Sequence, residues 1–179
     1  MNTLTDEPKL HYQPPVYRAD LPLDRTFNRQ LEKEYLNALK QGKARQTHHF
    51  MGRFENTYID RDDLPALQML VPVVLTCASR ILQRPAGQLR FGFWFNEIQH
   101  GDKTSRHAHE ENDELLSAVY YVNAPKDSGN LVVIQEEKKQ SLEPIESRIY
   151  LFDPSLEHCV EENCSNSMRL SLAFNFGPT

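Results

Sequence analysis

This sequence predicts a mainly β architecture preceded by two helices, and three observations carry the prediction. Beyond Pro85-Ala86-Gly87, apolar residues come in short runs separated by turn residues at near-regular spacing. That pattern suits a β-sandwich or barrel better than the alternating strands and helices of a parallel sheet. Before that point, two stretches repeat their apolar residues every three to four positions, the period of an amphipathic helix. Finally, a chain of 179 residues can bury one continuous core without disulfide staples, so a single domain is expected to hold every signal.

Taken in order, residues 1–22 contain Pro8, Pro14, Pro15 and Pro22 and no periodic apolar pattern, which predicts an extended arm. Residues 23–84 are expected to form a helical cover. Phe27, Leu31, Tyr35 (or Leu36) and Leu39 predict a first helix over 25–41, stopped by Gly42. A strand-like piece follows around 49–59. Asp62-Asp63 can then cap a second, more apolar helix over 64–82, with Pro65 suited to its first turn and Pro72 expected to kink or interrupt it. The core is expected over 85–179, with strands at 89–98, 115–123, 130–135, 148–152 and 168–176. The helices would cover one outer face of that sheet.

Composition excludes several classes. The net charge is a mild -5 with scattered basic residues, which argues against a nucleic-acid partner. The N-terminal segment lacks a basic stretch followed by an apolar one, and no apolar run reaches membrane-spanning length, so a soluble, cytoplasmic protein is expected. Cys77, Cys159 and Cys164 have neither CxxC spacing nor an even count, which leaves free thiols as the simplest account.

The chemistry-bearing residues cluster late. Alternate residues of an extended segment project to one side, so His107, His109 and, if the strand continues, Glu111 share a face. His158 lies beyond the turn Phe152-Asp153-Pro154, where a strand end can present an imidazole inward. Neutral imidazole is the commonest ligand for borderline metals, and two such rings with a carboxylate form the facial triad of non-haem Fe(II) sites. A closed structural zinc site is disfavoured because the cysteines are misplaced for it. Arg169 and Ser171 share one strand face while Leu170, Leu172 and Phe174 occupy the other. A guanidinium on a strand that otherwise reads as buried needs an anion, which is either an internal Glu or a bound carboxylate. Tyr120 and Tyr121 point to opposite faces of their strand, so one hydroxyl should be directed inward.

The blocks Trp94-Phe-Asn96, Gly101-Asp102, His107-Ala-His109, Leu116-Ser-Ala-Val-Tyr-Tyr-Val122, Ser128-Gly-Asn-Leu131, Leu151-Phe-Asp-Pro-Ser-Leu-Glu-His158 and Arg169-Leu-Ser-Leu-Ala-Phe-Asn175 resemble, in order and spacing, the 2-oxoglutarate and Fe(II)-dependent oxygenases. Within them the chain is most similar to a small bacterial and phage group with His-x-His where others carry His-x-Asp. The resemblance covers about residues 89–177 and implies a double-stranded β-helix, a jelly roll of two antiparallel sheets.

It further implies His158 as the distal iron ligand and Arg169 with Ser171 as the pair that binds the far carboxylate of 2-oxoglutarate, with Tyr121 and Asn96 beside the cosubstrate. Spacing from Gly101-Asp102 selects His107 and His109 as the proximal ligands. Spacing back from Ser117 and Tyr120 selects His109 and Glu111, which charge neutralisation favours. The implied activity couples oxidative decarboxylation of 2-oxoglutarate to hydroxylation of a small-molecule or protein substrate by molecular oxygen. Two alternatives remain. Gly101, His107, His109, Glu114 and His158 also fit a cupin-type metal enzyme or metal-binding protein that makes no use of 2-oxoglutarate, although Tyr121 stands where a cupin carries glycine. A metal-free jelly-roll binding module is the other.

Overall fold

A computed structural model describes residues 7–109 and 113–179. Strands β1 (His11–Gln13) and β2 (Val16–Asp20) precede helix α1 (Arg25–Lys40), and the hairpin β3 (Ala44–Phe50) and β4 (Arg53–Ile59) leads to helix α2 (Leu67–Leu82). The remaining strands are β5 (Leu89–Ile98), β6 (Leu116–Asn123), β7 (Leu131–Gln135), β8 (Lys138–Leu142), β9 (Arg148–Phe152), β10 (Glu157–Val160) and β11 (Arg169–Pro178). They form two antiparallel sheets, a large one in the order β1-β2-β9-β6-β11-β5-β4-β3 and a small one in the order β10-β7-β8. This is the double-stranded β-helix that the resemblance implies.

Helix α1 begins where the Asp24 side chain accepts a hydrogen bond from the Phe27 amide at 2.8 Å, an N-cap that satisfies an otherwise orphaned donor. Its buried residues Phe27, Leu31, Tyr35 and Ala38 form one stripe, and Leu36 faces outward. The stripe joins Leu67, Leu70, Val74 and Cys77 of α2 and the inward faces of β5, β6, β9 and β11 in the larger apolar layer. A second, smaller layer lies on the opposite side of the large sheet. There Tyr121, Leu131, Val133, Leu142, Tyr150 and Phe152 pack between the two sheets. The large sheet is therefore apolar on both sides, and the strand alternation decides which residues enter which layer.

The structure departs from the sequence reading at particular elements. The arm is extended, but it supplies β1 and β2, and β2 pairs with β9 from Val16↔Phe152 to Asp20↔Arg148. Arg148 adds a bidentate pair with Asp20, donating from Nε at 2.7 Å and Nη2 at 3.1 Å, which holds the Asp20 carboxyl below its usual value. The expected helical cover contains the β3–β4 hairpin between its helices. Helix α2 starts at Leu67, not 64, and Asp62 and Asp63 sit in a separate 3₁₀ turn. Its amide end is met instead by Glu34 of α1, whose carboxylate accepts from the Ala66 N–H at 2.9 Å. The helix runs through Pro72 without interruption. Strands β8 and β10 lay in segments that read as loops: β8 is a polar edge strand with two lysines, and β10 has only four residues. Cys77, Cys159 and Cys164 are free, as expected.

Candidate metal centre and anion anchor

The short strand β10 builds one end of the site. It pairs with β7 on one side, with His158↔Val133 in register. On its other side it accepts the isolated residue His107, with His107 N donating to His158 O at 3.0 Å and His158 N to His107 O at 2.9 Å. The two imidazoles consequently leave adjacent backbone positions with ring centroids 4.4 Å apart. His109 stands two residues further on, its amide donating to Pro154 O at 2.8 Å, and its ring is 5.0 Å from that of His107 and 5.2 Å from that of His158. One ligand nitrogen from each ring lies within 4.8 Å of the others.

Hydrogen bonds fix which nitrogen each ring can offer. His107 Nδ1 lies 2.9 Å from Ser105 O and His158 Nδ1 lies 2.9 Å from Leu156 O. A carbonyl can only accept, so both rings carry their proton on Nδ1, and a neutral ring then keeps the Nε2 lone pair. Burial favours the neutral form at His158 and His109. The His158 imidazole is pushed down to about 3, by burial first and then by the neighbouring His107 and His109. That of His109 is pushed down to about 4 by burial and by His107, with Glu114 opposing. Three convergent imidazoles form a donor set that suits Fe(II), Zn(II) or Cu(II) better than Mg(II) or Ca(II). Glu111, the alternative third ligand, lies outside the described residues.

The other end of the site is Arg169, which is fully buried. Its Nη1 donates to Gly129 O at 2.6 Å, while Nε and Nη2 have no hydrogen-bond partner among the described residues. Burial pulls its ionisation below the ordinary range, so the arrangement is costly as it stands. The guanidinium lies 5.0 Å over the Tyr121 ring. The Tyr121 hydroxyl also lacks a partner among the described residues, and burial pushes it up to about 12. Tyr120, by contrast, points into the helical layer and donates to Asn28 Oδ1 of α1 at 2.7 Å. Gly129 has φ +84°, and a Cβ there would collide with the Glu161 carbonyl. Only glycine lets this turn close tightly enough to present its carbonyl to Arg169.

One cleft joins the two ends. His107, His109 and His158 line it together with Arg169 and Ser171, and Trp94, Asn96, Leu131 and Phe152 form its walls. Ser171 is buried beside Arg169 on the same strand face, as the alternation predicts. Asn96 lines the cleft as well, but its Nδ2 donates to Glu55 O at 2.8 Å and Asn56 Oδ1 at 3.1 Å, leaving only Oδ1 for the cleft. Sequence reasoning missed Ser105 and Glu55. The carboxylate of Glu55, a residue only 7% exposed, accepts from Ser105 N at 2.7 Å and Ser105 Oγ at 2.8 Å. The available signal was the alternation of Glu55 with Thr57 and Ile59, which places an acid on a buried strand face.

A jelly roll with three convergent imidazoles at one end of a cleft and an orphaned, buried guanidinium at the other belongs to the class of metal-binding folds equipped to hold a carboxylate. The residues present fit both an iron ion and a dicarboxylate. Residues 93–177, which contain all of these groups, match the model of the 2OG-Fe(II) oxygenase superfamily. Over that stretch the chain is similar to the non-haem Fe(II) and 2-oxoglutarate-dependent oxygenases.

Solved structures carry the same fold. The alpha-ketoglutarate-dependent carbocyclase SnoK from nogalamycin biosynthesis aligns at a TM-score of 0.74 and 14% identity, over 91% of this chain and 79% of its own. A Pseudomonas putida prolyl-4-hydroxylase aligns at 0.70 and 18%, over 92% of each chain. A Trichoplax adhaerens prolyl hydroxylase, in complex with a hypoxia inducible factor peptide fragment, aligns at 0.67 and 18%, over 86% of this chain and 79% of its own. No curated protein matches the chain. Among the described residues no helix is long and apolar enough to cross a membrane.

Proposed function

We propose that this protein is a 2-oxoglutarate and Fe(II)-dependent hydroxylase in which His107, His109 and His158 hold the Fe(II), and Arg169, Ser171 and Tyr121 hold the far carboxylate of 2-oxoglutarate. The observation that carries the reading is the pair of partnerless guanidinium nitrogens on a fully buried Arg169 in the cleft that the three histidines line. Bound Fe(II) would supply the chemistry that couples conversion of 2-oxoglutarate to succinate and carbon dioxide to oxidation of a substrate by molecular oxygen.

The chain's own share is binding and orientation. Arg169 can give a planar, two-pronged contact to a carboxylate, and Tyr121 and Ser171 can add hydroxyl donors beside it. Asn96 offers its Oδ1 to the cleft, and Trp94, whose ring lies 5.5 Å from that of His109, walls the metal end. The Nδ1–H bonds to Ser105 and Leu156 keep two imidazoles aimed inward and spare them rotational freedom. The substrate class that fits the open end is a small molecule or a protein side chain.

The test is succinate release by the Fe(II)-reconstituted protein supplied with 2-oxoglutarate and oxygen. Slow succinate formation without added substrate, lost in His158→Ala, is expected. Stoichiometric iron with no turnover of 2-oxoglutarate under any condition would favour a cupin-type metal protein instead.

A further inference from the structure

We propose that Glu55 is a positioning residue for the metal centre, acting on His107 through Ser105. The inference rests on the assignment of His107 as a metal ligand. Glu55 belongs to the β3–β4 hairpin and lies outside the stretch matched by the oxygenase family. Its two carboxylate oxygens take the amide and the hydroxyl of the same residue, Ser105, at 2.7 and 2.8 Å. That double contact fixes the Ser105 backbone on its N-terminal side. On the other side, the His107 amide is held by His158 O at 3.0 Å. The Ser105 carbonyl between these anchors has little freedom left, and it accepts the Nδ1–H of His107 at 2.9 Å.

Arg53 of the same hairpin also contacts this loop. Arg53 donates to Lys103 O at 2.7 Å and to Glu97 O at 3.2 Å, and its Nε lies 3.5 Å from Asp102. Strand β10 holds the loop from the opposite side, with Val160 N donating to Thr104 Oγ1 at 2.7 Å. A buried carboxylate satisfied by neutral donors costs more than a neutral residue would in the same place. Glu55 carries that cost where it sets the tautomer and aim of a ligand, which is what outer partners of metal-bound histidines do.

The experiment compares Glu55→Ala, Glu55→Gln and Ser105→Ala with the unaltered chain. Two quantities are read: Mn(II) affinity, and the His107 tautomer from side-chain ¹H–¹⁵N spectra of the metal-free protein. Glu55→Ala is expected to weaken Mn(II) binding roughly ten-fold or more and to convert His107 from a single Nδ1–H form to a mixture, with His158 unaffected. Glu55→Gln keeps an acceptor for the Ser105 amide and should recover most of both, and Ser105→Ala should fall between. If Glu55→Ala does not fold, the graded losses in Glu55→Gln and Ser105→Ala decide the matter. Unchanged Mn(II) affinity in the folded variants, or a loss with the His107 Nδ1–H signal intact, would overturn the proposal. Failure of the unaltered protein to bind Mn(II) would overturn the metal-centre reading instead, and the tautomer in the metal-free variants would still decide whether Glu55 acts on His107.

Discussion

On β11, Leu170, Leu172, Phe174 and Phe176 enter the layer beneath the helices, while Arg169, Ser171, Ala173 and Asn175 line the cleft on the other side. The two layers differ in how far they satisfy themselves. The helical layer is apolar, and its polar atoms find partners: Tyr120 donates to Asn28, which donates in turn to Ser147 Oγ at 2.9 Å. The inter-sheet layer is smaller, and within it or at its edge lie His158, Arg169 and Tyr121, the last two of which keep buried polar atoms without partners among the described residues. Packing stabilises the first layer and withholds stability from the second, as expected when buried polar groups await a ligand. One strand thus serves stability with its even residues and binding with its odd ones.

Substitutions on either side should separate these roles. The largest effect is expected for His158→Ala, which removes one of three convergent imidazoles and should weaken Fe(II) or Mn(II) binding more than about 100-fold, beyond the loss typical of outer contacts. Retained stoichiometric metal in that variant would remove His158 from the ligand set. Next comes Leu172→Ala in the helical layer, expected to lower unfolding free energy by about 2–5 kcal/mol in urea titration. The folded fraction should keep its metal affinity, and loss of both together would mean that the layers are not separable.

The adjacent tyrosines give the smallest and sharpest contrast. Tyr120→Phe strips Asn28 of a buried partner and should cost about 1 kcal/mol. Tyr121→Phe removes a hydroxyl that has no partner among the described residues and should leave metal-free stability unchanged or higher, while weakening 2-oxoglutarate binding. Equal stability costs at the two positions would erase the distinction between the layers.

Much of this division was legible in the sequence because β-alternation is a local rule. It separated Arg169 and Ser171 from Leu170 and Leu172, set Tyr120 against Tyr121, and put His107 and His109 on one side. Helix α1 was legible from its three-to-four-residue period, and strands β5, β9 and β11 from apolar runs bounded by turn residues. What stayed hidden depends on distant partners. Helix α2 is capped from Glu34 of another helix, the proline-rich arm becomes strand only because β9 offers an edge to β2, and four-residue β10 exists only between β7 and His107. The Glu55–Ser105–His107 chain joins a hairpin to a loop far away in sequence, and no local pattern announces such a contact. The choice between His107 and Glu111 as a ligand also exceeded the sequence. The described residues gather His107, His109 and His158 into one cluster, and Glu111 lies outside them.

The central claim is that one cleft holds a metal at its histidine end and a dicarboxylate at Arg169. The most direct test is thermal unfolding of metal-stripped protein with Mn(II), then with 2-oxoglutarate added, in the unaltered chain and in Arg169→Met, because a ligand that binds the native state raises its melting temperature. The account predicts one rise with Mn(II) and a further rise with 2-oxoglutarate, the second lost in Arg169→Met while the first survives. A 2-oxoglutarate rise that persists undiminished in Arg169→Met, or no 2-oxoglutarate rise in the unaltered chain, would contradict it.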